Sequence, residues 1–162
     1  MKRVIVIGSP GAGKSTFSRK LKNRTGIPLY HLDNIWHLPD RTTISREAFD
    51  EKLSAILETD RWIIDGNYSR TLELRLKNSD TVFLLDYPLE VCLAGVSARR
   101  GKKREDHPWI EYEIDEEFRR FITAFPDTKL PMIYKLLHQY SQGKDIHIFR
   151  SREEAEEYLE NG

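Results

Sequence analysis

Residues 2–16 read Lys2-Arg3-Val4-Ile5-Val6-Ile7-Gly8-Ser9-Pro10-Gly11-Ala12-Gly13-Lys14-Ser15-Thr16, and the fold is decided here. From Gly8 onward the stretch matches the phosphate-binding loop pattern G-x-x-x-x-G-K-[ST]. The apolar run before it predicts a buried parallel strand, and Thr16 to Asn23 suits a helix, so the motif stands in the strand–loop–helix setting it needs. The glycines Gly8, Gly11 and Gly13, with Ser9, Pro10 and Ala12 between them, let the backbone wrap a polyphosphate. Successive N–H groups and a helix N-terminus then point at the anion. Lys14 is placed to reach the β- and γ-phosphates, Ser15 to ligate Mg²⁺, and Thr16 to complete the cradle. A glycine-rich turn with a chance lysine does not account for the order of these residues or for their flanks. The chain is therefore predicted to bind a nucleoside triphosphate.

The rest of the composition narrows the class. The 162 residues suit one domain, 1–162, with a core of its own. Lys plus Arg total 26 and Asp plus Glu total 26, a balance unlike that of domains that coat DNA or a membrane surface. The N-terminal apolar run is too short for a signal peptide, and no stretch is apolar for long enough to span a membrane. Cys92 is the only cysteine, which excludes an internal disulfide and a cysteine-built zinc site. The cytoplasm is the expected location.

Strand and helix signals alternate, predicting a three-layer α/β/α arrangement around a parallel sheet. Strands are expected near 3–7, 28–31, 62–65, 81–86 and 146–149. Helices are expected near 14–24, 45–58, 71–77, 89–100, 110–124, 132–141 and 152–160. Ser151 and Glu154 form a capping box at the start of the last one. Two excursions interrupt the alternation. One is an insertion over about 33–61; the other is a short basic connection over about 99–109 that carries Arg99, Arg100, Lys102, Lys103 and Arg104. In a sheet of this kind ligands bind at the carboxyl ends of the strands, so both excursions are expected to rise from that edge.

Three carboxylates are expected on the same rim. Asp65 ends the apolar run Trp62-Ile63-Ile64 and is placed to hold Mg²⁺ directly or through water. Asp33 follows the second strand and can accept a proton from a substrate hydroxyl or orient it, or serve an ordinary turn. Asp86 is expected only to cap the helix that starts near Leu89. Arg70 can clamp a phosphoryl or carboxylate group on the acceptor side. Arg99, Arg100 and Arg104 can close over a transferring phosphate as a mobile lid, or form a solvated or nucleic-acid-binding run. The five histidines have no metal spacing, and His147 is expected to serve a strand. Trp62 and Trp109 are expected in packing, whereas Trp36 sits in the insertion beside the acceptor side.

With those motifs in view, the chain resembles a small kinase of the adenylate kinase superfamily. More narrowly, it is similar to the adenylate-kinase-like group labelled DNA topology modulation proteins. Beyond the phosphate loop, the resemblance rests on three further stretches. These are Trp62-Ile63-Ile64-Asp65-Gly66-Asn67-Tyr68-Ser69-Arg70-Thr71, Thr81-Val82-Phe83-Leu84-Leu85-Asp86-Tyr87-Pro88-Leu89-Glu90, and Ile146-His147-Ile148-Phe149-Arg150-Ser151-Arg152-Glu153-Glu154-Ala155. The resemblance implies a five-stranded parallel sheet in order 2-3-1-4-5, ATP and Mg²⁺ as ligands, and a monomer or dimer. By the same likeness Arg70 faces the acceptor, Arg99 and Arg104 are lid arginines, and Arg150 lies near the base. Nucleoside monophosphate kinases place an arginine three residues after the aspartate that ends strand two; here that position is Trp36, so either Arg41 or Arg46 compensates from the insertion or Trp36 stacks on a planar or sugar acceptor. The implied activity is transfer of the γ-phosphoryl group of Mg-ATP to a small acceptor, with nucleotides and nucleosides among the candidates. The competing expectations are a nucleotide-dependent, DNA-associated switch and plain hydrolysis. A DNA-binding role for residues 99–104 predicts an affinity that falls steeply with salt and vanishes when the cations become glutamine. A salt-independent affinity in a filter-binding titration counts against it.

Overall fold

The computed structural model describes residues 1–161. The strands are β1 (Arg3–Gly8), β2 (Leu29–His31), β3 (Trp62–Asp65), β4 (Thr81–Leu85) and β5 (Asp145–Phe149). They form one sheet in the order β2-β3-β1-β4-β5, and every pairing is parallel. The expected fold class and strand order are both observed. The central strands are continuous apolar runs because both of their faces are covered, as parallel sheets require. Alternation then sorts their side chains. Val4, Val6, Ile63, Phe83 and Leu85 enter one core, while Ile5, Ile7, Ile64, Val82 and Leu84 enter the other.

Helices cover both faces. On the first lie α1 (Lys14–Thr25), α5 (Leu89–Arg99), α6 (Glu116–Thr128) and α8 (Arg152–Asn161), contributing Phe17, Leu21, Cys92, Val96, Ile122 and Ala155. On the second, α3 (Arg46–Leu57), α4 (Ser69–Asn78) and α7 (Leu130–Gln139) contribute Phe49, Leu53, Leu72, Leu76, Ile133 and Leu137. The parallel register pairs Val6 with Asp65 and Gly8 with Leu85. The phosphate loop, Asp65 and Asp86 therefore leave the sheet at one edge.

Three local expectations change. A one-turn helix α2 (Leu32–Trp36) follows β2 directly, so Asp33 is helical rather than in a turn. The helix expected over 110–124 begins only at Glu116, because the Asp115 side chain accepts from Glu117 N–H and fixes the start there. Residues just before it run back along the basic connection, where Gly101 N–H donates to Glu111 O at 2.6 Å. Asp86 caps nothing: its carboxylate accepts from Tyr134 Oη and from Arg150 Nη1 at 2.7 Å. The capping box of α8 is present in a shifted form. Glu154 N–H donates to Ser151 Oγ at 3.2 Å, while the Glu154 carboxylate accepts from the N–H of Arg150, one residue earlier than the usual partner.

α5 approaches the phosphate loop backbone to backbone. A Cβ placed on Gly95 would meet Gly11 O at 2.0 Å, and one placed on Gly11 (φ +84°) would meet Cys92 O at 2.0 Å. Both glycines are thus required by contact, and Gly11 by its left-handed backbone as well. Gly95→Ala is expected to displace the loop or the helix, costing about 2–3 kcal/mol. Thermal denaturation should then show a fall in Tm of roughly 5–10 °C.

Candidate functional site

A cleft of about 820 Å³ opens at the carboxyl edge of the sheet. Its floor is the phosphate loop with the first turn of α1, presenting Pro10, Gly11, Gly13, Lys14, Ser15 and Thr16. Gly13 has φ +95° and leads directly into α1, so the helix opens with no side-chain cap and leaves its first N–H groups to an anion. Lys14 curls back over the loop, and its Nζ donates to Gly8 O at 3.0 Å and to Ser9 O at 3.2 Å. Burial pushes the ammonium below its ordinary range, against the pull of Asp65. Gly8, Ser9 and Ala12 stand behind the cleft surface: two supply the carbonyls that Lys14 grips, and Ala12 is fully buried.

Two carboxylates face the loop. Asp65 is buried at the end of β3 and lines the cleft, and its Oδ2 lies 2.7 Å from His31 Nδ1 at the end of β2. Burial works against a charged imidazole, but the hydrogen bond and charge of Asp65 outweigh it and hold His31 above its ordinary range. Asp33 lines the cleft from α2, and its Oδ1 accepts from Tyr68 Oη at 2.6 Å. Burial, together with the Asp33 charge, raises the Tyr68 phenol and keeps it the donor.

The roof is cationic. Arg99, Lys102, Lys103 and Arg104, four of the five cations of the basic connection, all line the cleft; Arg99 and Arg104 are half-buried, while Lys102 and Lys103 are exposed. Arg104 Nη2 lies 3.3 Å from Glu111 Oε1 and its Nε 3.5 Å from Asp106 Oδ1. Arg99 Nε and Arg104 Nη1 are buried donors with no protein partner. The same segment reaches the other wall: Asn34 Nδ2 donates to Glu105 O at 2.5 Å, and Arg19 pairs with Glu105 at 3.5 Å. Farther along, the His107 ring sits 4.3 Å from that of Trp109 and 5.1 Å from that of His37, with Arg41 over Trp109.

Of the residues singled out from sequence, Lys14, Ser15, Thr16, Asp33, Asp65, Arg99 and Arg104 converge on this cleft. Arg70 does not. It forms a bidentate pair with Asp50, at 2.8 and 3.1 Å, and borders a separate pocket of about 320 Å³. Tyr68 lines both spaces. Arg150 is also outside, bound to Asp86 and lying 5.9 Å from the Tyr134 ring centre. The arginine that does reach the loop is Arg152, whose guanidinium donates to Gly11 O at 3.2 Å and Ala12 O at 3.3 Å. It is two residues from Arg150, and the helix start at position 152 is what separates them. His31, Asn67, Tyr68, Arg75 and Gly95 were also missed. Only the position of His31 at a strand end gave a signal, since the others depend on contacts between distant segments.

The comparisons follow the same line. No protein-family model matches the chain. It is 30% identical to an adenylate kinase of Thermotoga petrophila over 122 residues, covering 72% of this chain and 54% of that protein. It is also 30% identical over 93 residues to an adenylate kinase of Clavibacter michiganensis subsp. michiganensis, covering 54% of this chain and 44% of that one. The chain spans about half the length of the curated relatives it matches. In structure it resembles a shikimate kinase from Bacteroides thetaiotaomicron, with TM-score 0.60 and 19% identity over 98% of this chain and 94% of that one. It also resembles a shikimate kinase from Acinetobacter baumannii in complex with shikimate, with TM-score 0.61 and 17% identity over 99% and 92% of the two chains.

The His31–Asp65 pair has a measurable consequence. With the folded value of His31 raised above 6.5, its contribution is complete below about pH 6.5 and is lost as pH rises through that raised value. In metal-free buffer, the Tm difference between wild type and His31→Gln is therefore expected to be widest near pH 6 and to shrink toward pH 9. A gap that stays constant or widens means that the folded imidazole is neutral.

Proposed function

We propose that the chain is an ATP-dependent phosphotransferase that moves the γ-phosphoryl group to the hydroxyl of a small acceptor. The observation that carries this reading is the meeting in one cleft of the Lys14 loop, a buried Asp65, Asp33 and the side chains of Arg99 and Arg104. Lys14, the lining arginines and the open N-terminus of α1 fit a triphosphate, and Ser15 with Asp65 fits a hard divalent cation. Ser15 and Asp65 would hold a Mg²⁺ ion, which would supply neutralisation of the charge on the transferring phosphoryl group. Lys14 exchanges its loop carbonyls for phosphate oxygens. Asp33 receives the proton of the acceptor hydroxyl as its oxygen bonds to phosphorus and ADP departs. Arg99, Arg104 and Arg152 offset the spreading negative charge, and the segment that bears the first two acts as a lid that excludes water. Most of the rate acceleration then comes from placement and field rather than from covalent chemistry.

On the acceptor side, Trp36, Phe49 and Tyr68 line the 320 Å³ pocket with Arg46 and Arg70. That lining suits a planar or ring-shaped acceptor with one anionic group, and suits a monophosphate gripped at position 36 poorly. The half-buried placement of Arg99 and Arg104 on the cleft wall favours the lid over a DNA-binding surface.

ADP formation from Mg-ATP should be measured against nucleoside monophosphates, nucleosides, sugars and hydroxy acids. One acceptor class is expected to stimulate turnover, and Lys14→Ala is expected to lower that turnover by about 100-fold or more while the fold is kept. Full activity in a folded Lys14→Ala protein refutes the proposal.

A further inference from the structure

A buried cation lies beneath the cleft and is not used by the chemistry above. Arg75 of α4 is 0% exposed, among the largest fully enclosed side chains. Its partners are carbonyls rather than a carboxylate. Nη1 donates to Gly66 O at 2.9 Å; Nη2 donates to Tyr68 O at 3.1 Å and also to Asn67 O. Nε donates to Thr71 Oγ1 at 3.2 Å. The turn 66–68 is thus wrapped around one guanidinium. Its backbone needs that support, because Gly66 has φ +132° and Tyr68, a bulky residue, has φ +36°. A leucine in the same place would spare the desolvation of a charge but would leave the carbonyls of Gly66, Asn67 and Tyr68 without these donors.

The turn sends side chains to both halves of the cleft. The Asn67 amide donates through Nδ2 to Gly8 O at 2.7 Å and accepts through Oδ1 from Gly8 N–H at 3.1 Å. Gly8 O is also a carbonyl that Lys14 grips. The next residue, Tyr68, donates to Asp33 at 2.6 Å. The first residue of the phosphate loop and the carboxylate on the opposite wall are therefore attached to neighbouring residues of one turn.

We infer that Arg75 is a positioning residue that fixes the phosphate loop, through Asn67, and Asp33, through Tyr68, in a single rigid frame. The distance from donor to acceptor group is thereby set from below, independently of the lid. The Tyr68 arm rests on the reading of Asp33 as the proton acceptor; the Asn67 arm rests only on nucleotide binding.

The test separates the two arms. ATP affinity is measured by calorimetry, and turnover with the stimulating acceptor or with water. For Tyr68→Phe, ATP affinity is expected to stay within about twofold while turnover falls by about tenfold or more, the size of one lost charge-assisted hydrogen bond. For Asn67→Ala and Arg75→Lys, affinity is expected to fall by about tenfold each, and the double variant to be no weaker than the weaker single, because both act through the same loop. Arg75→Gln serves as the second variant if Arg75→Lys does not fold. Additive losses in the double variant, or unchanged turnover in Tyr68→Phe, overturn the inference. Wild-type protein that binds ATP but forms no ADP with any acceptor or with water refutes the kinase reading and the Tyr68 arm with it. The affinity cycle then still decides whether Arg75 and Asn67 act as one.

Discussion

The parallel pairing of β1 between β3 and β4 is the constraint on which everything else depends. Its register places the exits of three strands at one edge, so Gly8, Asp65 and Asp86 are neighbours although far apart in sequence. Neither flanking strand can slip by one residue without exchanging the two cores, since alternate side chains feed opposite helical layers. The chemistry inherits its geometry from that packing. The loop leaves β1 where Leu85 O blocks any Cβ on Gly8 at 2.6 Å, and α5 closes on it from the other side through Gly95.

On this scaffold the charges are sorted by depth. Asp65 and His31 occupy the buried end of the edge, Lys14 lies over the loop, and the arginines gather above. Burying a cation is costly unless its donors are satisfied, and the arginines around the cleft differ in depth and in partners: Arg75 is fully buried, Arg99 and Arg104 are half-buried, and Arg152 is exposed. Arg75 is satisfied by carbonyls and Arg152 by the loop itself. Arg99 Nε and Arg104 Nη1 are enclosed without a protein partner. The first two stiffen the frame.

Much of this was legible in the sequence because it is local. The phosphate loop announces itself through residue types at fixed spacing, and the apolar runs of β1, β3 and β4 can only be doubly covered strands. What stayed hidden depends on contact between segments. Nothing around position 75 distinguishes a buried arginine from an exposed one on an amphipathic helix. The ion pair of Arg70 with Asp50, which lies on a different helix, has no local sign in the sequence. Arg150 and Arg152 are equivalent as text; the start of α8 turns one toward Asp86 and the other toward the loop.

The three tryptophans give the molecule built-in optical reporters. Trp62 is completely enclosed between the sheet and its second helical layer, so its emission serves as an internal standard for the fold. Trp36 borders the smaller pocket, edge-on to Phe49 at 5.7 Å. Trp109 sits among His37, His107 and Arg41, the seat of the basic segment on the insertion. Each indole thus occupies a different moving or static part. Retaining one tryptophan at a time would let steady-state fluorescence follow seating of the segment and filling of the side pocket as separate events in time.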